Sequence, residues 1–307
     1  MNKVVVTGGA GFIGSHLVER LVEMGYQTIV VDDLSTGKME NIEAVLGSDR
    51  VEFVQGSVTD PSLLNTLFKG SSYVFHLAAI ASVPQSIENP RASHEVNVNG
   101  TLNTLLAARD NGVSRVVFAS SAAVYGDNPS LPQKEDNMPR PLSPYAVNKL
   151  AGEHYCQVFT EVYKLPTLCL RLFNIYGPRQ NVNSQYAAVI PMFIKEVNRG
   201  NPPVIFGDGG QTRDFAYVKD VVSANILAAQ SGISGIFNVA RGESITVNHL
   251  AEIIAELAGK IIKPLHKETR PGDIRHSLAD ITGAKAFGYE SRYDLRAGLA
   301  ETIQYYS

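Results

Sequence analysis

Hydrophobic positions in the first half of the chain fall into short β-branched runs separated by stretches of helical period. "KVVVTGG" is a compact apolar run ending in glycines, followed by "FIGSHLVERLVEMG", where Ile13, Leu17, Leu21 and Met24 recur at helical spacing before Gly25. That order predicts strand, turn, helix. "QTIVVDD", "VEFVQGS", "SYVFHLAA" and "VSRVVFASS" read as four further buried strands, with helical stretches such as "VNVNGTLNTLLAARDNG" between them, and "PTLCLRLFNIYGP" adds a sixth strand ending in a loop. Such alternation builds a parallel sheet covered by helices on both faces.

The pattern changes at about residue 175. "GPRQNVNSQ", "RGNPPVIFGDGGQ" and "HKETRPGDIRH" are clusters of glycine, proline and charge separated by shorter elements. The division expected is therefore residues 1–174 as the sheet domain and 175–307 as a smaller, mixed substrate lobe. "FAYVKDVVSANILAAQ" is a candidate for returning to the first domain, giving it a segment near 214–241.

Composition narrows the classes. A chain of 307 residues with 44% hydrophobic content can bury a large core. A formal net charge of -3 gives no global attraction to nucleic acid or to an anionic membrane, so neither is expected as a partner. The two cysteines, Cys156 and Cys169, indicate neither a disulfide framework nor a zinc site, and the seven histidines show no paired helical spacing, so no metal is expected. The first residues lack a signal peptide's apolar core, and no apolar run is long enough to span a bilayer. A soluble, cytoplasmic protein is the expectation.

Gly9, Gly11 and Gly14 stand between the first strand and the first helix. Glycines at these spacings permit a tight turn, let backbone N–H groups approach a pyrophosphate, and let the helix pack with its positive end toward the anion. Asp32, at the end of the second strand, stands where a carboxylate accepts from an adenosine ribose and repels a 2′-phosphate, which favours NAD over NADP. The fold expected is a Rossmann-type doubly wound α/β sheet.

"SPYAVNKLAGEHY" puts Tyr145 and Lys149 one turn apart on one helix face. A free tyrosine, with a pKa near 10, is a poor base at neutral pH, and a nearby ammonium stabilises its phenolate. "FASSAAVYG" ends the fifth strand at the carboxyl edge of the sheet, where ligands bind, and places Ser120 and Ser121 there.

"TGGAGFIGSH", "SSAAVYGD", "SPYAVNK" and "LRLFNIYGPRQ" together resemble the extended short-chain dehydrogenase/reductase family of nucleotide-sugar enzymes, over essentially the whole chain, and within it most strongly the UDP-hexose 4-epimerases. The resemblance implies that hydride leaves sugar C4 for a permanently held NAD and returns to the other face of a 4-keto sugar. It implies Tyr145 as base, Lys149 on the nicotinamide ribose and Ser121 at O4. Cofactor contacts implied are Gly8, Gly9, Gly11, Phe12, Ile13, Gly14, Asp32, Ser57, Val58, Leu77, Ala78, Ala79, Asn97, Ser120, Tyr145 and Lys149. Where relatives carry Gly-Asp after the third strand this chain has Ser57, with Asp60 as an alternative contact to adenine. A homodimer joined through helices is also implied.

Dehydratases of this family need an Asp-Glu pair, and decarboxylases a Glu before the "VYG"; Ala122 and Ala123 stand at those places and cannot transfer a proton. On the substrate side, the resemblance puts Arg213 and Arg270 on the diphosphate, Asp273 on the uridine ribose, Phe215 beside the nucleoside and Asn174 on the diphosphate or sugar. It puts Ala188, Val189 and Ser277 at the sugar. Ser277 takes the position where a bulky tyrosine excludes an N-acetyl group, so UDP-GlcNAc/UDP-GalNAc interconversion is expected, with UDP-Glc/UDP-Gal also accepted. A UDP-glucose-specific 4-epimerase and a nucleotide-sugar 4-ketoreductase with net redox turnover remain open at this point.

Overall fold

The computed structural model describes residues 2–181, 188–269 and 274–307. Seven strands form one sheet: β1 (Lys3–Thr7), β2 (Gln27–Asp32), β3 (Val51–Gln55), β4 (Ser71–His76), β5 (Arg115–Ser121), β6 (Thr167–Leu172) and β7 (Gly235–Val239), in the order β7-β6-β5-β4-β1-β2-β3. Every pairing in it is parallel. The inner strands are largely apolar because both faces are covered, whereas the edge strand β3 leaves Glu52 and Gln55 exposed. Val4 and Val6 point into one core and Val5 into the other; Val30 opposes Ile29 and Val31 in the same way.

On the first face lie α1 (Phe12–Glu23) and the helix Val218–Gln230, which packs against it through Val221, Val222 and Ala224. The opposite face carries the helix Gly100–Asp110 and the 19-residue helix Pro144–Val162, through Leu105, Ala108, Cys156 and Phe159. Met24, expected on the buried stripe of α1, is its C-cap and 38% exposed, because the helix has already ended before the turn at Gly25. A third core joins the helices Val189–Asn198, Val247–Leu257 and Leu295–Tyr306 around Tyr176, Phe215 and Tyr217. β7, which follows the helix Val218–Gln230, adds a seventh strand beside β6 that the reading of six strands did not separate from its surroundings.

Candidate active site

A cavity of about 1010 Å³ opens along the carboxyl ends of the strands. It is bordered by residues that end or follow β1 (Gly8, Gly11), β2 (Asp32), β3 (Ser57, Val58), β4 (Leu77, Ala78, Ala79), β5 (Ser120, Ser121) and β6 (Leu172, Asn174). Parallel strands all end at the same edge, which is why residues so far apart in the chain converge there.

The glycine turn is built for close approach. A Cβ on Gly14 would stand 2.1 Å from Gly8 O, and one on Gly8, whose φ is +72°, would stand 2.7 Å from Ala78 N. The backbone therefore forms a cradle that larger residues would fill, and Gly11, Phe12, Ile13 and Gly14 border the cavity at the N-terminus of α1. Asp32 is 7% exposed; it accepts from Ala10 N at 3.0 Å and Leu34 N at 2.9 Å, so its carboxylate is fixed against the glycine turn and faces the cavity. Burial raises its pKa while these N–H groups oppose the rise. A diphosphate cradle, a placed carboxylate and a large cavity together fit a dinucleotide.

Tyr145 sits in the first turn of the helix Pro144–Val162, which Ser143 caps by accepting from Ala146 N. Its backbone N–H donates to the buried Ser86 Oγ at 3.1 Å. Its phenol is hydrogen-bonded with Ser121, whose own Oγ also accepts from Ala123 N at 3.1 Å. Lys149 is 3% exposed, donates from Nζ to Ala119 O at 2.7 Å, and lies 5.9 Å from the Tyr145 ring centre. Burial brings the ammonium's pKa down to about 8. Burial likewise raises the Tyr145 phenol, and the Ser121 hydrogen bond pulls the other way.

Several expected contacts sit elsewhere. Gly9 does not border the cavity; a Cβ there would strike Val30 Cγ1 at 2.7 Å, so its role is packing of the turn on β2. Asn97 is buried, holding Ile80 through N–H and C=O and reaching Ser93, so it shapes the cavity wall from behind. Ser120 borders the cavity, but its hydroxyl donates to Glu153 Oε1 at 2.5 Å, because alternate residues of a strand face opposite sides and only Ser121 turns to Tyr145. Asp60 accepts from Ser62 N and Leu63 N as the cap of the helix Pro61–Leu67 and does not border the cavity; Ser57 borders it and accepts from Thr59.

On the lobe side, Asn174 Nδ2 donates to Asp214 O at 2.8 Å and lies 3.4 Å from Ser277 Oγ. Asp214 in turn accepts from Arg241 N, Gly242 N and Ala279 N. Arg213 follows Thr212, whose C=O accepts from Ser277 N, so Asn174, Arg213 and Ser277 share one platform. Ala188 borders the cavity, while Val189 begins a lobe helix and packs into the lobe core. Phe215 is 5% exposed and meets the ring of Tyr176 edge-on as a member of that core, not as a free surface for a nucleoside. Arg270 and Asp273 lie outside the described residues. Lys38, Tyr305 and Tyr306 border the cavity without any signal at sequence level, since they reach it from a loop and from the C-terminal helix, and Arg179 joins them from the end of the "LRLFNIYGPRQ" stretch.

The family model described as "NAD dependent epimerase/dehydratase family" matches residues 4–240. The chain belongs to the NAD-dependent epimerase/dehydratase family. The UDP-glucose 4-epimerase of Mycolicibacterium smegmatis is 39% identical over 309 residues, covering 99% of this chain and 98% of that protein. Among solved structures, a UDP-N-acetylglucosamine 4-epimerase from Methanobrevibacter ruminantium in complex with UDP-N-acetylmuramic acid superposes with a TM-score of 0.97 at 43% identity, covering 99% and 98% of the two chains. The UDP-glucose 4-epimerase of Thermotoga maritima with UDP-glucose gives a TM-score of 0.94 at 40% identity, again covering 99% and 98%. This member of the NAD-dependent epimerase/dehydratase family therefore carries the extended short-chain dehydrogenase/reductase architecture over its whole length and uses NAD.

Proposed function

We propose that this protein is a UDP-sugar 4-epimerase acting on UDP-GlcNAc/UDP-GalNAc and also on UDP-Glc/UDP-Gal. The observation that carries the reading is the buried Tyr145, hydrogen-bonded with Ser121 and backed by Lys149, at the carboxyl edge of an NAD-family sheet. When bound, NAD supplies the reversible hydride acceptor that epimerisation through a 4-keto sugar requires. Ser121 holds sugar O4, and Tyr145 takes its proton and later returns it. Lys149 supplies the positive charge that favours the phenolate. Asp32 orients the adenosine ribose, and Arg213, with Arg270 and Asp273, binds the UDP moiety.

Breadth toward the N-acetyl group rests on the small Ser277 beside Asn174 and on the cavity residue Ala188. A relative in complex with an N-acetylated UDP-sugar supports the same direction. The test is a competition assay in which UDP-Glc and UDP-GlcNAc are offered together and each kcat/KM is measured. Ser277→Tyr is expected to cut N-acetyl turnover at least tenfold, about 1.4 kcal/mol, while UDP-Glc turnover persists. Intact N-acetyl turnover in that variant removes the specificity argument. Purified protein is expected to turn over without added NADPH; such a requirement would favour a ketoreductase.

The same reading includes a homodimer. Val147, Val158 and Val162 are exposed along the helix Pro144–Val162, and a second copy covering this stripe is expected to show as twice the chain mass by light scattering. Two free, buried cysteines support a reducing, cytosolic location.

A further inference from the structure

Glu153 is fully buried one turn beyond Lys149 on the helix Pro144–Val162. Its carboxylate accepts from Ser120 Oγ at 2.5 Å and from Arg171 twice, Nε at 2.9 Å and Nη2 at 2.8 Å. Arg171 also donates to Glu135 O at 3.1 Å and lies 4.7 Å over the Tyr125 ring. Two consecutive residues of β5 are thus held by two consecutive helical turns. Lys149 takes the Ala119 carbonyl and Glu153 takes the Ser120 hydroxyl. Neither Glu153 nor Arg171 borders the cavity.

The titratable and charged groups around this pair are Tyr145 and Cys156 on the same helix, His76 on β4, Cys169 and Arg171 on β6, and Tyr125 and Glu135 from the segment after β5. Burial keeps His76 neutral, with a pKa of about 3, and pushes Tyr125 up to about 12. A hydrogen bond that the Cys169 thiol donates to Cys156, together with burial, raises the Cys169 pKa. The buried cationic side chains are therefore Lys149 and Arg171, with the Glu153 carboxylate paired to Arg171 and one helical turn from Lys149. Without Glu153, two cations would share a site that water does not reach.

We propose that Glu153 is a positioning residue of the reaction centre: it neutralises the buried Arg171 behind Lys149 and, through Ser120, locks the helical turn of Tyr145 in register with Ser121. This rests on the assignment of Tyr145 and Lys149 made above. A purely structural ion pair would stiffen the fold and leave the ionisation of Tyr145 untouched. A positioning role moves that ionisation.

The experiment is the pH profile of kcat on the full-length, NAD-loaded enzyme with UDP-Glc, with ultraviolet titration of tyrosinate as a readout independent of turnover. In Glu153→Gln, which leaves the Arg171 charge uncompensated, both the acidic limb of kcat and the tyrosinate titration are expected to move down by about one pH unit. In Glu153→Gln/Arg171→Gln, which removes both buried charges together and so leaves no unpaired ion, both are expected to move back toward wild type. If Glu153→Gln does not fold, the double variant is compared with Arg171→Gln, which is expected to sit above it in pH because the unpaired Glu153 carboxylate then disfavours the phenolate. An unmoved limb in Glu153→Gln, or a double variant displaced as far as the single one, overturns the proposal. Tyr145→Phe is run beside them. If it is inactive, an unmoved limb counts against Glu153 alone, whereas an active Tyr145→Phe overturns the reaction-centre assignment itself.

Discussion

Burial and charge act against each other at Tyr145. The ring is 9% exposed, and burial alone makes the phenol a weaker acid than it is in water. The Ser121 hydrogen bond opposes that effect, and the Lys149 ammonium lies 5.9 Å from the ring centre. Removing the phenol oxygen is thus expected to cost more than removing either helper: Tyr145→Phe should lower kcat by about 10²–10⁴-fold while bound NAD, measured by absorbance of the released cofactor, stays near one per chain. The residue pair itself was legible, because Tyr and Lys four apart lie on one helix face. Which serine serves it was not legible. "FASS" offers two hydroxyls, and only strand alternation and the presence of Glu153 behind β5 assign the Ser120 hydroxyl to Glu153 and leave the Ser121 hydroxyl for Tyr145.

At the scale of the element, the helix Pro144–Val162 has to lie close to β5 for this geometry to exist. Gly152 makes that possible: a Cβ there would stand 2.5 Å from Phe118 Cζ. Alanine favours a helix over glycine by about 1 kcal/mol, whereas overpacking a buried site costs about 1–3 kcal/mol. Phe118 is 1% exposed, stacked on His76 with Lys149 4.9 Å over its ring, so it has nowhere to move and overpacking wins. Gly152→Ala is expected to lower stability in urea denaturation by up to about 2 kcal/mol and to reduce kcat, because Lys149 and Ala119 are pushed apart. An unchanged midpoint and unchanged kcat would show that the contact is loose. The first six strands and α1 were readable from period and β-branching, since each carries its own pattern. The short pairs that build the lobe, such as Thr212–Asp214 with Ser244–Thr246, were not, because three residues hold no period and the pairing depends on distant partners.

For the whole molecule, pH acts through groups that folding removes from water. His76 is buried between Thr7 and Thr101 with its pKa brought down to about 3, so it stays neutral in the fold while the unfolded chain protonates near 6.5. The unfolded state then binds more protons between those values, and stability present above about 6.5 is lost as the pH falls. Asp214 works in the opposite sense. Burial raises it to about 6, so its contribution is present at low pH and is lost as the pH rises through that value. His76 is displaced further from its ordinary value than Asp214, so the two contributions largely offset each other and the net expectation is a weakening of about 1 kcal/mol on acidification from pH 6.5 toward 4. Urea midpoints across that range check it, and His76→Gln is expected to abolish that weakening; an equally steep slope would place its origin elsewhere. The sequence by itself determined the alternating sheet and helices, the glycine cradle with Asp32, and the Tyr145 and Lys149 pair, because these depend on local period, backbone freedom and spacing within one element. Tertiary structure decided the rest: Glu153 and Arg171 behind the reaction centre, the placing of Asp60 at a helix cap, Asn97 behind the cavity wall and Phe215 in the lobe core, and the meeting of Asn174, Arg213 and Ser277. Those depend on which distant segments share a boundary, and burial and hydrogen-bond satisfaction settle that only once the chain has closed on itself.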